Sequence, residues 1–242
     1  MKPVFTVLLL GLAFLTGLAA QSPTTYATNF PLTEDPIAEA GRWINGQQVG
    51  RDWKNVQTTP GLAFGVDASG NPTYNDPTAL LTGTWAPNQT VEARVHTVNQ
   101  QSGNIVQEVA IRLRSTISAH RNEGYQISFR CAHDGSQYVQ IVRWNGPVGD
   151  FAPVQTAAGP GLFDGDIVKA TIVGNVITAY INGLQVVQGT DSTFANGNPG
   201  MGFYVHGISG ANADFGFTTF SASDGAGSLP SAPMNLRLVP SS

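Results

Sequence analysis

The sequence has one cysteine, few charges and no sustained helical periodicity, and each lack excludes something. Cys131 stands alone in 242 residues, so no intramolecular disulfide can form and the fold must rest on its core. A lone cysteine is expected to be a small buried apolar residue, and a catalytic thiol would need an activating partner that the sequence does not offer. Zinc finds little support, because Cys131 and His133 lie close together but His96, His120 and His206 supply no second pair at ligand spacing. Charged residues make up 12% and the net charge is −4, without the basic stripe that nucleic-acid binding requires. Past residue 20 no apolar run is long enough to cross a bilayer.

The first twenty residues are different. Met1-Lys2 precedes an apolar stretch from Val4 to Leu15, and small residues follow at Gly17, Ala19 and Ala20. This is the pattern of a secretory signal peptide over 1–20, with the mature chain starting near Gln21. No cysteine sits at that junction to take a bacterial lipid anchor. The expectation is an exported protein, secreted or periplasmic. Roughly 220 residues then remain, enough for one domain to bury a substantial core.

Beyond the leader, apolar residues alternate and Gly, Asn, Asp and Pro recur at short spacing, which predicts antiparallel strands joined by tight turns. In Val109–Arg114 the odd positions are apolar and the even ones end in two arginines, so one face is read as core and the other as wet. Tyr125–Arg130 alternates in the same way, and with Tyr138–Trp144 the three segments read as a meander. Ile167–Val173 and Val176–Ile181 flank Gly174-Asn175, a favoured hairpin turn, and Asn182-Gly183 is a second. Gly202–His206 and Ala213–Phe220 read as the last strand pair. Pro36–Ala40 and Asp76–Leu81 are each read as at most one helical turn. After Ser223 the composition turns to Gly, Ser and Pro, predicting a flexible tail over 224–242; Pro233–Val239 can be read as a frayed end or as the opening strand of a further domain.

The stretch Gly165–Val205, with its hairpin, Asn-Gly turn and Asn198-Pro199-Gly200-Met201-Gly202 loop, resembles the late strands of the concanavalin A-like lectin/glucanase (laminin G-like) jelly-roll superfamily. With Asn29-Phe30 and Asp214–Phe220 the resemblance spans about residues 25 to 222. It implies an all-β, two-sheet antiparallel sandwich over 21–223.

Function is read from the faces of the strands. Glucanases of this fold carry two glutamates around an aspartate on one strand, whereas Glu34, Glu39, Glu92, Glu108 and Glu123 are isolated. Collecting the non-core positions gives Arg112, Arg114, Gln126, Arg130, Tyr138, Gln140, Trp144, Tyr180, Tyr204 and His206. Sharing one open sheet face, these would supply rings for sugar stacking and planar donors for hydroxyls or carboxylates. Otherwise the arginines pair across strands and the rings cap the core. The leading expectation is a secreted carbohydrate-binding or adhesion module using the open face or rim loops. The alternative is a polysaccharide-degrading enzyme, a uronate lyase with His206 and Tyr204 as base and acid beside Arg112 and Gln126 rather than a carboxylate-pair hydrolase. Arg112-Leu113-Arg114 nevertheless lacks the motif of the best-known alginate lyases. A structural domain with an extracellular protein partner is the third reading. The resemblance also implies a structural Ca2+ at Asp35, Gly41 and Asp214, with no other cofactor required. Trp43 and Trp53 are expected as core plugs, with a sugar platform as the other reading. Asn88-Gln89-Thr90 fits a glycosylation acceptor.

Overall fold

The computed structural model describes residues 22–46, 53–65, 76–101, 105–206 and 212–225; the stretch read as a leader, and that read as a tail apart from Asp224 and Gly225, lie outside the described residues. Two antiparallel sheets contain the described strands. The first holds β1 (Thr25–Thr28), β3 (Val56–Thr59), β4 (Leu62–Gly65), β6 (Gln89–Thr97), β11 (Ile167–Val173), β12 (Val176–Ile181), β13 (Leu184–Thr190) and β15 (Phe215–Ser223). Its order is β13-β12-β11-β6-β15-β4-β3, with β1 also paired to β15. The second holds β2 (Trp43–Asn45), β5 (Thr78–Leu81), β7 (Val106–Ser118), β8 (Arg121–Arg130), β9 (Val139–Gly146), β10 (Phe151–Ala157) and β14 (Asn198–His206), in the order β10-β9-β8-β7-β14-β5-β2.

The alternation read in the sequence builds the core between the sheets. Val109, Ile111 and Leu113 of β7 and Ile127 and Phe129 of β8 are fully buried, as are Val168, Ala170 and Ile172 of β11 and Phe215, Phe217 and Phe220 of β15. Each large apolar side chain among them contributes about 1.5–3 kcal/mol by leaving water. Cys131 lies in the same core, and burial pushes its thiol up to about 12, as fits a packing residue. Trp43 is also a core plug, edge-on to Tyr26 and Phe220 at 5.5 and 5.2 Å. Its indole N–H donates to the Tyr26 hydroxyl at 2.9 Å and to Glu39 Oε2 at 3.1 Å.

The meander β7-β8-β9 and the β11–β12 hairpin form as expected, and Asn182-Gly183 turns β12 into β13 with φ of 50° and 80°. Three readings need correction. Asp76–Leu81 contains a strand, β5, paired with β14 and β2. The stretch Pro36–Ala40 is a turn entering positive φ at Glu39, Ala40 and Gly41. The last two strands are not a pair: β14 joins β7 in the second sheet, whereas β15 joins β6 in the first. A loop that crosses between sheets has the same composition as one that returns within a sheet. Asp224, the first residue of the stretch read as tail, accepts the amides of Thr24 at 2.6 Å and Ala86 at 2.7 Å and so pins both ends of the sandwich.

Candidate site on the outer face of the second sheet

Register decides which side chains share the face of the second sheet that points away from the core. Tyr204, Glu108 and Arg130 lie opposite one another in one row, then Gly202, Ala110, Ser128 and Gln140, then Arg112, Gln126 and Val142, then Gly124, Trp144 and Phe151. Seven of the ten candidate residues therefore stand together here: Arg112, Gln126, Arg130, Tyr138, Gln140, Trp144 and Tyr204. The face is not the wet one that the alternation implied. Arg112 is 1% exposed, and Glu108, Gln126, Ser128 and Trp144 are buried, while Asp76, Tyr138, Gln140 and Tyr204 on the border are half-buried.

A second small hydrophobic cluster accounts for that burial. Trp53, Val142 and Trp144 pack together outside the main core, so Trp53 is a plug of this face and not of the sandwich interior. The chain carries it there because Lys54 O accepts the Thr78 amide of β5 at 3.0 Å. The Trp53 backbone also lies so close to Gly46 that a side chain there would collide with it. The two indoles meet edge-on at 4.5 Å, and Phe151, 47% exposed, continues the row at 5.1 Å from Trp144. The Arg112 guanidinium lies 5.3 Å from the Trp53 ring centre and 5.5 Å from that of Trp144, a cation–π arrangement that supports a desolvated charge.

Hydrogen bonds separate the groups that are already engaged from those that are open. Gln126 is engaged, since its Nε2 donates to Ser128 Oγ at 2.7 Å and its Oε1 accepts from the Trp144 indole at 2.9 Å. Gln140 Nε2 donates to Thr156 at 3.0 Å. The Tyr138 hydroxyl donates to Glu108 Oε1, and the Arg130 guanidinium lies 5.9 Å from the Tyr138 ring centre. Arg112 donates from Nη2 to Thr78 Oγ1 at 3.0 Å, whereas its Nε and Nη1 are buried with no hydrogen-bond partner. The indole nitrogen of Trp53 is buried without a partner too.

Burial also sets the ionisation here. It pushes the Asp76 carboxyl up to about 7, against the pull of Arg112 and with some reinforcement from Glu108. Burial likewise raises Glu108, opposed by hydrogen bonds from Tyr138 and Ser128. The Arg112 guanidinium is brought down to about 10 by burial, with Asp76 opposing the shift. Burial raises the phenols of Tyr138 and Tyr204 as well.

Solved structures of similar shape fit this architecture. The carbohydrate-binding module CBM66 from Bacillus subtilis superposes with a TM-score of 0.51 at 14% identity, over 78% of this chain and 96% of that one. The metal-free carbohydrate recognition domain of Emp46p gives 0.54 at 12% identity over 83% and 96%, and that of Emp47p gives 0.50 at 12% over 83% and 95%. The fold is the concanavalin A-like jelly roll. Identities this low carry the fold and not an activity. No protein-family model and no curated protein sequence matches the chain.

Three candidate residues fall away from this face or from description. Arg114 lies within the bulge of β7 between Leu113 and Thr116 and has φ of 44°, so simple alternation fails there. It donates to the carbonyls of Pro87 at 2.6 Å, Phe194 at 3.1 Å and Gly174 at 2.6 Å, clamping loops of the sandwich. Tyr180 belongs to the first sheet, where Lys169 sits 4.4 Å above its ring. The side chain of His206 lies outside the described residues. Of the calcium set, Asp35 and Gly41 lie between β1 and β2, and Asp214, just before β15, accepts from Asn99 Nδ2 at 3.3 Å. Among the described residues no group of three or more His, Cys, Asp or Glu side chains is placed to hold a metal ion. Sequence reading overlooked Asp76, Glu108, Ser128 and Phe151. Glu108 was accessible, since Glu108, Ala110 and Arg112 alternate on one strand face; Asp76 was not.

Proposed function

We propose that this chain is an exported carbohydrate-binding module that takes its glycan on the outer face of the second sheet. The observation that carries the reading is the row Trp53, Trp144, Phe151, which runs from full burial to exposure beside the open donors of Arg112. Rings of this kind stack on sugar faces, and planar donors and carboxylates meet hydroxyls that both donate and accept. The shared shape with a carbohydrate-binding module and two carbohydrate recognition domains supports the reading. The signal-like start supplies the export. A glycan array followed by calorimetry tests it: the chain binds a subset of polysaccharides, and Trp144→Ala weakens that binding by about tenfold or more, as expected when the exposed Phe151 ring loses the buried indole that supports it. Binding that is indifferent to Trp144 counts against this face.

A second reading, a polysaccharide-degrading enzyme, is favoured by the carboxyls of Asp76 and Glu108, both raised by burial, of which Asp76 at about 7 resembles a proton donor poised for neutral pH. The lyase form of that reading must do without Gln126 as a carboxylate neutraliser, since both ends of its amide are engaged. Incubation with a polysaccharide panel, monitored for unsaturated ends and for new reducing ends, tests it; silence in both assays leaves binding alone.

A further inference from the structure

Among the described residues, Arg112 Nε and Nη1 and Trp53 Nε1 are buried donors with no partner, and no ion pair joins Arg112 to a carboxylate. The buried acceptors without a partner are Asn55 Oδ1 and Asn122 Oδ1. The cation is 1% exposed. A buried charge with unfilled hydrogen-bond capacity is costly unless something completes it. The interaction with two indoles offsets part of that cost and supplies no acceptor. Thr78 fills one donor, and its own hydroxyl donates onward to Asp76 O at 3.2 Å. Gly202 on the neighbouring strand lets the guanidinium pack close against its backbone, since a Cβ there would lie 3.3 Å from both Arg112 Nε and Pro77 O. Unpartnered N–H donors around a desolvated cation match a planar or tetrahedral oxyanion.

We propose that Arg112 and Trp53 form an oxyanion subsite, so that the glycan bound on this face carries an acidic group, a uronate carboxylate or a sugar sulfate. The inference rests on the carbohydrate-binding reading above and names the class of sugar it selects. Among the described residues, the charged and titratable groups that face the subsite are Asp76, Glu108 and Tyr204, with Arg130 and Tyr138 beyond Glu108. Of these, Asp76 sets the pH behaviour. Its carboxyl titrates near neutrality, and its ionised form opposes an incoming anion. Protonating it leaves Arg112 as the unopposed charge, so binding of an acidic glycan strengthens as pH falls through about 7.

The test is calorimetry on the full chain with matched pairs: an oligogalacturonate against its methyl ester, and a sulfated galactan oligosaccharide against its desulfated form. The acidic member of at least one pair binds about tenfold tighter or more, the effect of one charge-assisted hydrogen-bonded pair, and the pair that responds distinguishes carboxylate from sulfate. Arg112→Gln removes the preference and Arg112→Lys retains part of it, with far-UV and near-UV dichroism showing that both variants are folded. If Arg112→Gln does not fold, wild-type protein at about pH 6 and about pH 8 gives an independent readout through Asp76. Equal affinity for acidic and neutral partners, with Trp144→Ala still weakening both, overturns the oxyanion subsite and leaves the carbohydrate-binding face standing. Binding of no glycan in any pair overturns both.

Discussion

The two outer faces of this sandwich began as the same pattern, apolar residues alternating with polar ones, and ended in different states. On the first sheet the polar positions are solvated and satisfied: Lys169 covers Tyr180, Gln188 donates to Thr178 at 2.9 Å, and Arg94 donates to Gly165 O at 2.8 Å. On the second sheet Arg112, Glu108, Gln126 and Trp144 are buried, and Arg112 keeps open donors. The first face shows what an antiparallel sheet does with water on one side. The second gives up that solvation without completing its hydrogen bonds, and buried polar groups left open are found where a ligand is expected to complete them.

Substitutions that treat the two faces alike should therefore give unlike results. The largest effect is expected from Trp53→Ala, which removes a fully buried indole and costs about 3–5 kcal/mol in urea unfolding; Tyr180→Ala on the first sheet should cost well under half of that. Arg114→Ala strips donors from three carbonyls and should cost on the order of 3 kcal/mol, which separates a structural arginine from Arg112. Arg112→Met should be nearly neutral for stability, or raise Tm, because an apolar residue replaces a buried cation of low hydrogen-bond complement, yet it should abolish selection of acidic glycans. A large loss of stability in Arg112→Met would mean that this arginine is structural too.

A smaller effect is set by pH. The folded Asp76 carboxyl titrates at about 7, above its ordinary value of 3.8, so between those values the folded chain holds more protons than the unfolded one. Stability then falls as pH rises across that window. Asp76→Asn should flatten this part of the Tm profile and raise Tm at about pH 8 relative to wild type.

How much of this was legible in the sequence follows from the same contrast. The meander and the Gly174-Asn175 hairpin were readable because strand period and turn chemistry are local. The candidate face was partly readable, since Arg112, Gln126 and Trp144 occupy alternating positions on adjacent strands. Arg114 was misplaced because a bulge leaves no clear mark in Leu113-Arg114-Ser115. Trp53 was legible as a buried plug, but the cluster it joins was not, because its place depends on the backbone contact between Lys54 and Thr78, 24 residues apart in the chain. Asp76 escaped notice for a similar reason, because its meaning comes from neighbours on β7 and β14.

Amide hydrogen exchange, measured with and without the tightest-binding glycan, tests the account most directly. It predicts added protection along β7, β8 and β9 around Arg112, Gln126 and Trp144, with β11 and β12 unchanged. Protection centred on β11 and β12, around Lys169 and Tyr180, would contradict it.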